Sequence, residues 1–227
     1  MRLRSGIAGL SLVLVVAGAG MLTSAIGAQA TSAKAEVTVV HGIPNTPVTV
    51  YANNKVLIRR FVFDKTATVA LTPGKYALAV RAFGAMSTSK PILAATVHVV
   101  GGENATVVAN LTTSGKPTLS VFANPTSAVP ANDARVIVRH VADAPAVDVY
   151  AGATTSPALI SGLANPKSST PANVPAGSYS ISVYPAGTTA TPVIGPASFK
   201  FNAGKTYIIY AVGSLSGKTL TVAVQTY

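Results

Sequence analysis

From residue 35 onward the apolar positions come in short runs. VTVV, VTVY, KVLIRR, ATVAL, YALAV, ATVHVV, ATVVA and LSVF are rich in β-branched side chains and bounded by Gly, Pro, Asn or Thr. That length and punctuation predict strands. No segment after residue 35 carries a helical period. Seven or eight candidate strands fall in each half of this region, which predicts an all-β chain of sandwich type.

The same blocks return in the same order. HGIPNTPVTVY (41–51) matches HVADAPAVDVY (140–150) at an offset of 99, and LTPGKYALAV (71–80) matches VPAGSYSISV (174–183) at 103. GGENATVVA (101–109) matches AGKTYIIYA (203–211) at 102, and SGK recurs at 114 and 216. A period near one hundred residues is the size of an independent fold, so the chain reads as a duplicated domain. Repeat 1 is expected over 36–122 and repeat 2 over 135–227. Between them ANPTSAVPANDA (123–134) reads as a short linker, made semi-rigid by its prolines. Two tandem sandwiches are the expected architecture, with one merged barrel as the alternative.

Alternation sorts the side chains by face. Val136, Val138 and His140 share one face, and Arg135, Ile137 and Arg139 the other; Val37, Val39 and His41 form the matching stripe in repeat 1. Each histidine thus ends an apolar stripe. It is read either as a neutral ring satisfied by a backbone group or as a ring turned to a ligand. In the next strand Val48 and Val50, or Val147 and Val149, face in. Thr49 and Tyr51, or Asp148 and Tyr150, are then expected to face out. An outward tyrosine beside an aspartate can stack on and hydrogen-bond a sugar or peptide, or be an ordinary cross-strand pair. Tyr76 and Tyr179 follow turn glycines Gly74 and Gly177, which can take the positive φ a tight turn often needs. Their rings should lie inside with the hydroxyl on a backbone partner. His98 aligns with Lys200 and should meet solvent.

The N-terminus follows a different pattern. Arg2 and Arg4 precede an uncharged stretch whose apolar heart is IAGLSLVLVVA, followed by small residues ending in Ala28, Gln29 and Ala30. These are the parts of a secretory signal peptide over 1–30, with cleavage after Ala30 and a weaker second choice around Ala33, Lys34 and Ala35. An uncleaved anchor is the alternative, since the stretch is long enough to span a bilayer. No second run of spanning length follows, so the mature protein is expected to be soluble, secreted or cell-wall associated, with no transmembrane span.

Composition narrows the chemistry. The 227 residues include no cysteine, 3 histidines, 6 acids and 17 Lys plus Arg. Disulfides, thiolate catalysis and cysteine-bound zinc are excluded. A serine–histidine–acid triad can be drawn from His140 and Asp143 or Asp148, but no nucleophile elbow accompanies it. Asp143 and Asp148 are too few for calcium without backbone help, and the histidines lack partners for zinc. No catalytic residue, cofactor or metal site is therefore assigned. Without residues 1–30 the chain carries 15 basic and 6 acidic residues, a net of +9. Long-range attraction then favours anionic envelope polymers, lipid head groups or nucleic acid. With aromatics at 6%, the stacking platforms of a specific nucleic-acid binder are missing. Asn104 and Asn110 match the glycosylation sequon and are read as plain strand residues.

HGIPNTPVTVY and HVADAPAVDVY, followed by LTPGKY and VPAGSY, resemble the repeat of a bacterial secreted family called domain of unknown function 4397. Repeat 2 is the closer match. Repeat 1 departs from it, with Pro44 and Thr49 where repeat 2 has Asp143 and Asp148. The resemblance covers residues 36–227 and implies secreted or surface-attached β-sandwich repeats with no established activity. The PGxY turn is also similar to turns in prealbumin-like sandwiches, an analogy of fold alone. The expected fold is two tandem antiparallel sandwiches, immunoglobulin-like or prealbumin-like, after a signal peptide. The expected function is that of an exported, non-enzymatic binding protein of the cell envelope or extracellular space. Its candidate ligand residues are His140, Asp143, Asp148 and Tyr150, and its candidate partner is an anionic wall polymer, glycan or envelope protein. The alternatives are a structural spacer or self-assembling matrix component and, further off, a cryptic hydrolase.

Overall fold

A computed structural model describes residues 33–227; the expected signal segment lies outside the described residues. Among these there are seventeen strands and no helix. Repeat 1 holds β1 (Ala35–His41), β2 (Val48–Ala52), β3 (Lys55–Phe61), β4 (Thr66–Leu71), β5 (Gly74–Ala82), β6 (Leu93–Val99), β7 (Asn104–Leu111) and β8 (Pro117–Ala123). Repeat 2 holds β9 (Asp133–His140), β10 (Val147–Ala151), β11 (Ile160–Leu163), β12 (Lys167–Ser168) and β13 (Ala172–Pro175). It continues with β14 (Gly177–Pro185), β15 (Ile194–Phe201), β16 (Thr206–Val212) and β17 (Thr221–Thr226).

Each repeat is a sandwich. In repeat 1 the sheet β4-β1-β7-β8 faces the sheet β3-β2-β5-β6. In repeat 2 the sheet β9-β16-β17, edged by β12 and β13, faces β11-β10-β14-β15. This strand order differs from that of an immunoglobulin sandwich. The sheets are antiparallel apart from one parallel pair in each repeat. β1 runs parallel to β7, with Val37 beside Ala105, and β9 runs parallel to β16, with Val136 beside Tyr207. The chain leaves the first strand, crosses to the far sheet and returns before laying down the neighbour, and such a crossover permits parallel pairing.

The alternating valines fill the cores. Val136, Val138, Val147, Val149, Ile181, Val183 and Phe201 form that of repeat 2. Val37, Leu71, Leu78, Val97 and Val107, with Val39, Val48, Val50, Phe61 and Val80, form that of repeat 1. The turn tyrosines behave as expected: Tyr76 donates its hydroxyl hydrogen bond to Thr72 O at 2.9 Å, and Tyr179 donates to Pro175 O at 2.7 Å. The glycines before them differ. Gly74 takes φ +150°, whereas Gly177 stays out of the positive-φ region. His98 and Lys200 are exposed.

A third core lies between the repeats. Val40 and Val108 of repeat 1 pack against Ile137, Val141, Ile208, Tyr210 and Val212 of repeat 2. These side chains belong to the sandwich faces that alternation turns away from each repeat's own core. The sheets β4-β1-β7-β8 and β9-β16-β17 therefore bury each other, and the molecule is four sheets deep. A polar chain threads this interface. The Tyr210 hydroxyl accepts from Arg139 Nη1 at 3.0 Å and lies 2.9 Å from Thr106 Oγ1 and 2.7 Å from Gln225 Oε1. Gln225 Nε2 then donates to Thr38 Oγ1 at 2.9 Å. Asn165 closes one end, its Nδ2 donating to Leu111 O of repeat 1 and to Ala142 O of repeat 2. Asn110 is also wholly buried, so the sequon there is inaccessible in the folded chain.

Side chains of repeat 2 fasten the end of β8 and the first half of the linker. Arg139 Nη2 donates to Ala123 O at 2.9 Å, Tyr227 Oη to Pro125 O at 2.8 Å, and Arg135 to Ser127 O and Ala128 O at 2.8 and 3.0 Å. Arg139 is 1% exposed and lies between the rings of Phe122, 4.5 Å from its guanidinium carbon, and Tyr210, at 5.5 Å. Burial pulls its pKa down, while the Tyr210 oxygen pulls it back up. Two of the arginines in the charge count thus act inside the molecule.

Candidate functional site

The four sequence candidates come from one stretch, yet the structure divides them. His140 ends β9 inside the fold. Its Nε2 donates to Pro145 O at 2.8 Å, and its Nδ1 accepts from Ala142 N at 3.4 Å. His41 makes the same pair of bonds, with Thr46 O at 2.8 Å and Ile43 N at 3.3 Å. Burial pulls both pKa values down, against the raising effect of the accepting carbonyls, so both rings are neutral. Each histidine staples the loop that leads to the next strand. Of the two readings, the backbone-satisfied ring is the one the geometry matches.

Asp143 sits in that loop at the end of the molecule. Its Oδ2 accepts from Ser214 Oγ at 2.9 Å, its N–H donates to Gly213 O at 2.8 Å, and its carbonyl accepts from Leu215 N at 2.9 Å. It therefore ties the loop after β9 to the turn between β16 and β17. His140 and Asp143 are not joined in a relay with a serine: the histidine's partners are backbone groups, and the aspartate holds Ser214.

Asp148 and Tyr150 lie on the outer face of β10, away from the core of repeat 2. Asp148 was expected to face out, and by alternation it does, but it is only 9% exposed. Neighbouring segments close over it because each needs an acceptor. Oδ1 accepts from Gly162 N at 2.7 Å and Oδ2 from Gly187 N at 2.8 Å. One carboxylate thus fixes the strand on one side of β10 and the turn after β14 on the other. Thr49 and Tyr51 of repeat 1 are buried in the same way.

Tyr150 is half-buried and meets Tyr184 edge to face, ring centroids 5.7 Å apart. Tyr184 stands across from Asp148 in the β10–β14 register, a partner alternation could have shown had the pairing of β14 been known. Ser182 lies across from Tyr150. The face is therefore an aromatic pair on a sheet floor, with its flanks held by Asp148. The same face of repeat 1 has other chemistry: Thr49 stands across from Arg81, whose guanidinium lies over the Tyr51 ring at 4.9 Å. Among the described residues no three His, Asp or Glu side chains gather as metal ligands. Cavities within the sandwiches are gaps in the cores, lined by residues such as Val37, Val50 and Leu57 or Val136, Val149 and Phe199. Among the described residues no helix is long and apolar enough to cross a membrane.

Two β-sandwiches joined through a buried sheet face, with further chemistry on outer faces, define a tandem β-sandwich protein. The chain belongs to the family described as Domain of unknown function (DUF4397), whose model matches residues 35–150 and again 141–226. No curated protein matches it. Among solved structures, the Bacillus anthracis TIE protein is similar at 13% sequence identity with a TM-score of 0.23. The match covers 78% of this chain and 33% of that one, so the chain spans about a third of that protein's length.

Proposed function

We propose that this is an exported, non-enzymatic binding protein of the cell envelope, and that the outer face of repeat 2 is its recognition surface for a wall glycan. The observation carrying this reading is the use of Asp148. A carboxylate that spends both oxygens on the backbone of two flanking segments is a positioning group, and the segments it fixes, β11 and the turn after β14, flank the face that carries the Tyr150–Tyr184 pair. A pre-organised, partly exposed pair of tyrosines suits a sugar ring, which offers an apolar face and a rim of hydroxyls. The wider net charge of the chain assists by raising the local concentration of an anionic polymer. The fastened linker also suits a spacer, which needs a fixed length.

Co-sedimentation of residues 31–227 with isolated cell-wall material across a salt series tests the reading. Binding is expected to survive high salt and to fall about tenfold or more in Tyr150→Ala and Tyr184→Ala. Both rings are partly exposed, so these variants keep the core intact. Binding that disappears steeply with salt and ignores both substitutions would mean that charge alone is the adhesive.

A further inference from the structure

The outer face of repeat 1 carries a feature that the glycan reading does not use. Between residues 52 and 100 the sequence has seven basic side chains against one acid, Asp64; Lys55, Arg59, Arg60, Lys75 and Lys90 are exposed, Arg81 is buried, and Lys65 lies in the loop leading to β4. Asp64 is already occupied by Lys65, Nζ to Oδ1 at 2.6 Å. The same segment exposes large apolar groups: Met86 at 75%, Phe83 at 47%, Val56 at 46% and Ile92 at 41%. The two kinds of group are interleaved. Arg60 lies over the Phe83 ring at 5.7 Å, and Val56 pairs with Tyr51, whose ring carries Arg81.

The backbone beneath Met86 is fixed. Met86 tips the connection between β5 and β6. There Ser89 donates to Met86 O through both its N–H, at 3.0 Å, and its Oγ, at 2.7 Å. The buried Arg81 anchors this turn by donating from Nε to Ser89 O at 2.9 Å. A solvated loop has no use for an apolar tip fixed by a buried guanidinium. The corresponding connection of repeat 2, AGTTATPV (186–193), has no Phe or Met, and its Val193 packs against the core, so the exposed apolar tip belongs to repeat 1 alone.

We propose that this face docks on an anionic lipid bilayer, with Phe83 and Met86 entering the boundary between head groups and acyl chains and Arg59, Arg60, Lys55 and Lys90 meeting the lipid phosphates. Charge complementarity selects an anionic partner, and the exposed apolar groups select a bilayer over a soluble polyanion, which offers them no apolar phase. The surface is distinct from the Tyr150–Tyr184 face, so either proposal stands if the other fails.

The chain contains no tryptophan, so Met86→Trp in residues 31–227 places a single tryptophan at the tip, excited selectively over the tyrosines at the red edge of their absorption. Vesicles of equal parts phosphatidylglycerol and phosphatidylcholine are compared with phosphatidylcholine alone and with soluble polyphosphate. The expected result is a blue shift of the emission with anionic vesicles and none with the other two. In sedimentation with the same vesicles, Phe83→Ser with Met86→Ser should lower binding about tenfold, as should Arg59→Ser with Arg60→Ser, while Tyr150→Ala leaves it unchanged. No binding to anionic vesicles overturns the proposal. Binding with an unshifted emission, or indifference to the Phe83 and Met86 substitutions, overturns it in favour of a polyanion site. Loss of vesicle binding in Tyr150→Ala overturns it by moving the contact to the other face.

Discussion

His41 and His140 link residue chemistry to solution behaviour most directly. Their folded-state pKa values lie below the ordinary imidazole value of 6.5. Above that value both states are neutral and the two rings make no pH-dependent contribution. As pH falls below about 6.5 the unfolded chain takes up protons that the folded chain refuses, so stability drops. The drop continues until the lowered folded-state values are reached. Thermal unfolding followed between pH 7.5 and 5 should show this decline, and His140→Gln should shallow it while costing about 1 kcal/mol at neutral pH through the lost bond to Pro145 O. An unchanged slope in that variant would mean the histidine titrates alike in both states. Alternation placed these rings correctly at the ends of apolar stripes. It also placed Asp148 correctly on the far side of β10. What alternation does not contain is how much of that far side other segments cover, and burial of Asp148 and Thr49 depends on neighbours distant in sequence.

At the scale of the element, strand runs and turn residues were legible because period 2 and the Gly and Pro punctuation are local properties. The parallel pairing of β1 with β7 was not, since it depends on a crossover spanning the whole repeat. Asp148 illustrates what such long-range placement does for an element. Its two acceptor bonds join β11 and the turn after β14 to β10. Asp148→Ala leaves both amides without that partner and should cost about 2–4 kcal/mol. Hydrogen exchange at Gly162 and Gly187 should speed up before the core strands β9 and β16 are affected. Equal loss of protection across repeat 2 would show that the carboxylate supports the whole sandwich instead.

For the whole molecule, duplication was visible in the sequence and the joining of its halves was not. Ile137 and Arg139 on one strand, or Thr106 and Val108 on another, look like ordinary outward positions until the second repeat is laid on them. Tyr210 makes the coupling testable. Tyr210→Phe deprives Arg139, Thr106 and Gln225 of a shared partner and should cost about 1–3 kcal/mol. Because Thr106 belongs to β7, protection in repeat 1 should fall together with protection in repeat 2; a change confined to repeat 2 would show that the sandwiches unfold independently. Four stacked sheets at about 10 Å each place the two outermost sheets roughly 30 Å apart, looking in opposite directions. One carries Arg60, Phe83 and Met86, and the other Tyr150 and Tyr184. The protein thus has a front and a back, and copies held on a plane by one would all show the other, a coat with a single chemistry facing outward.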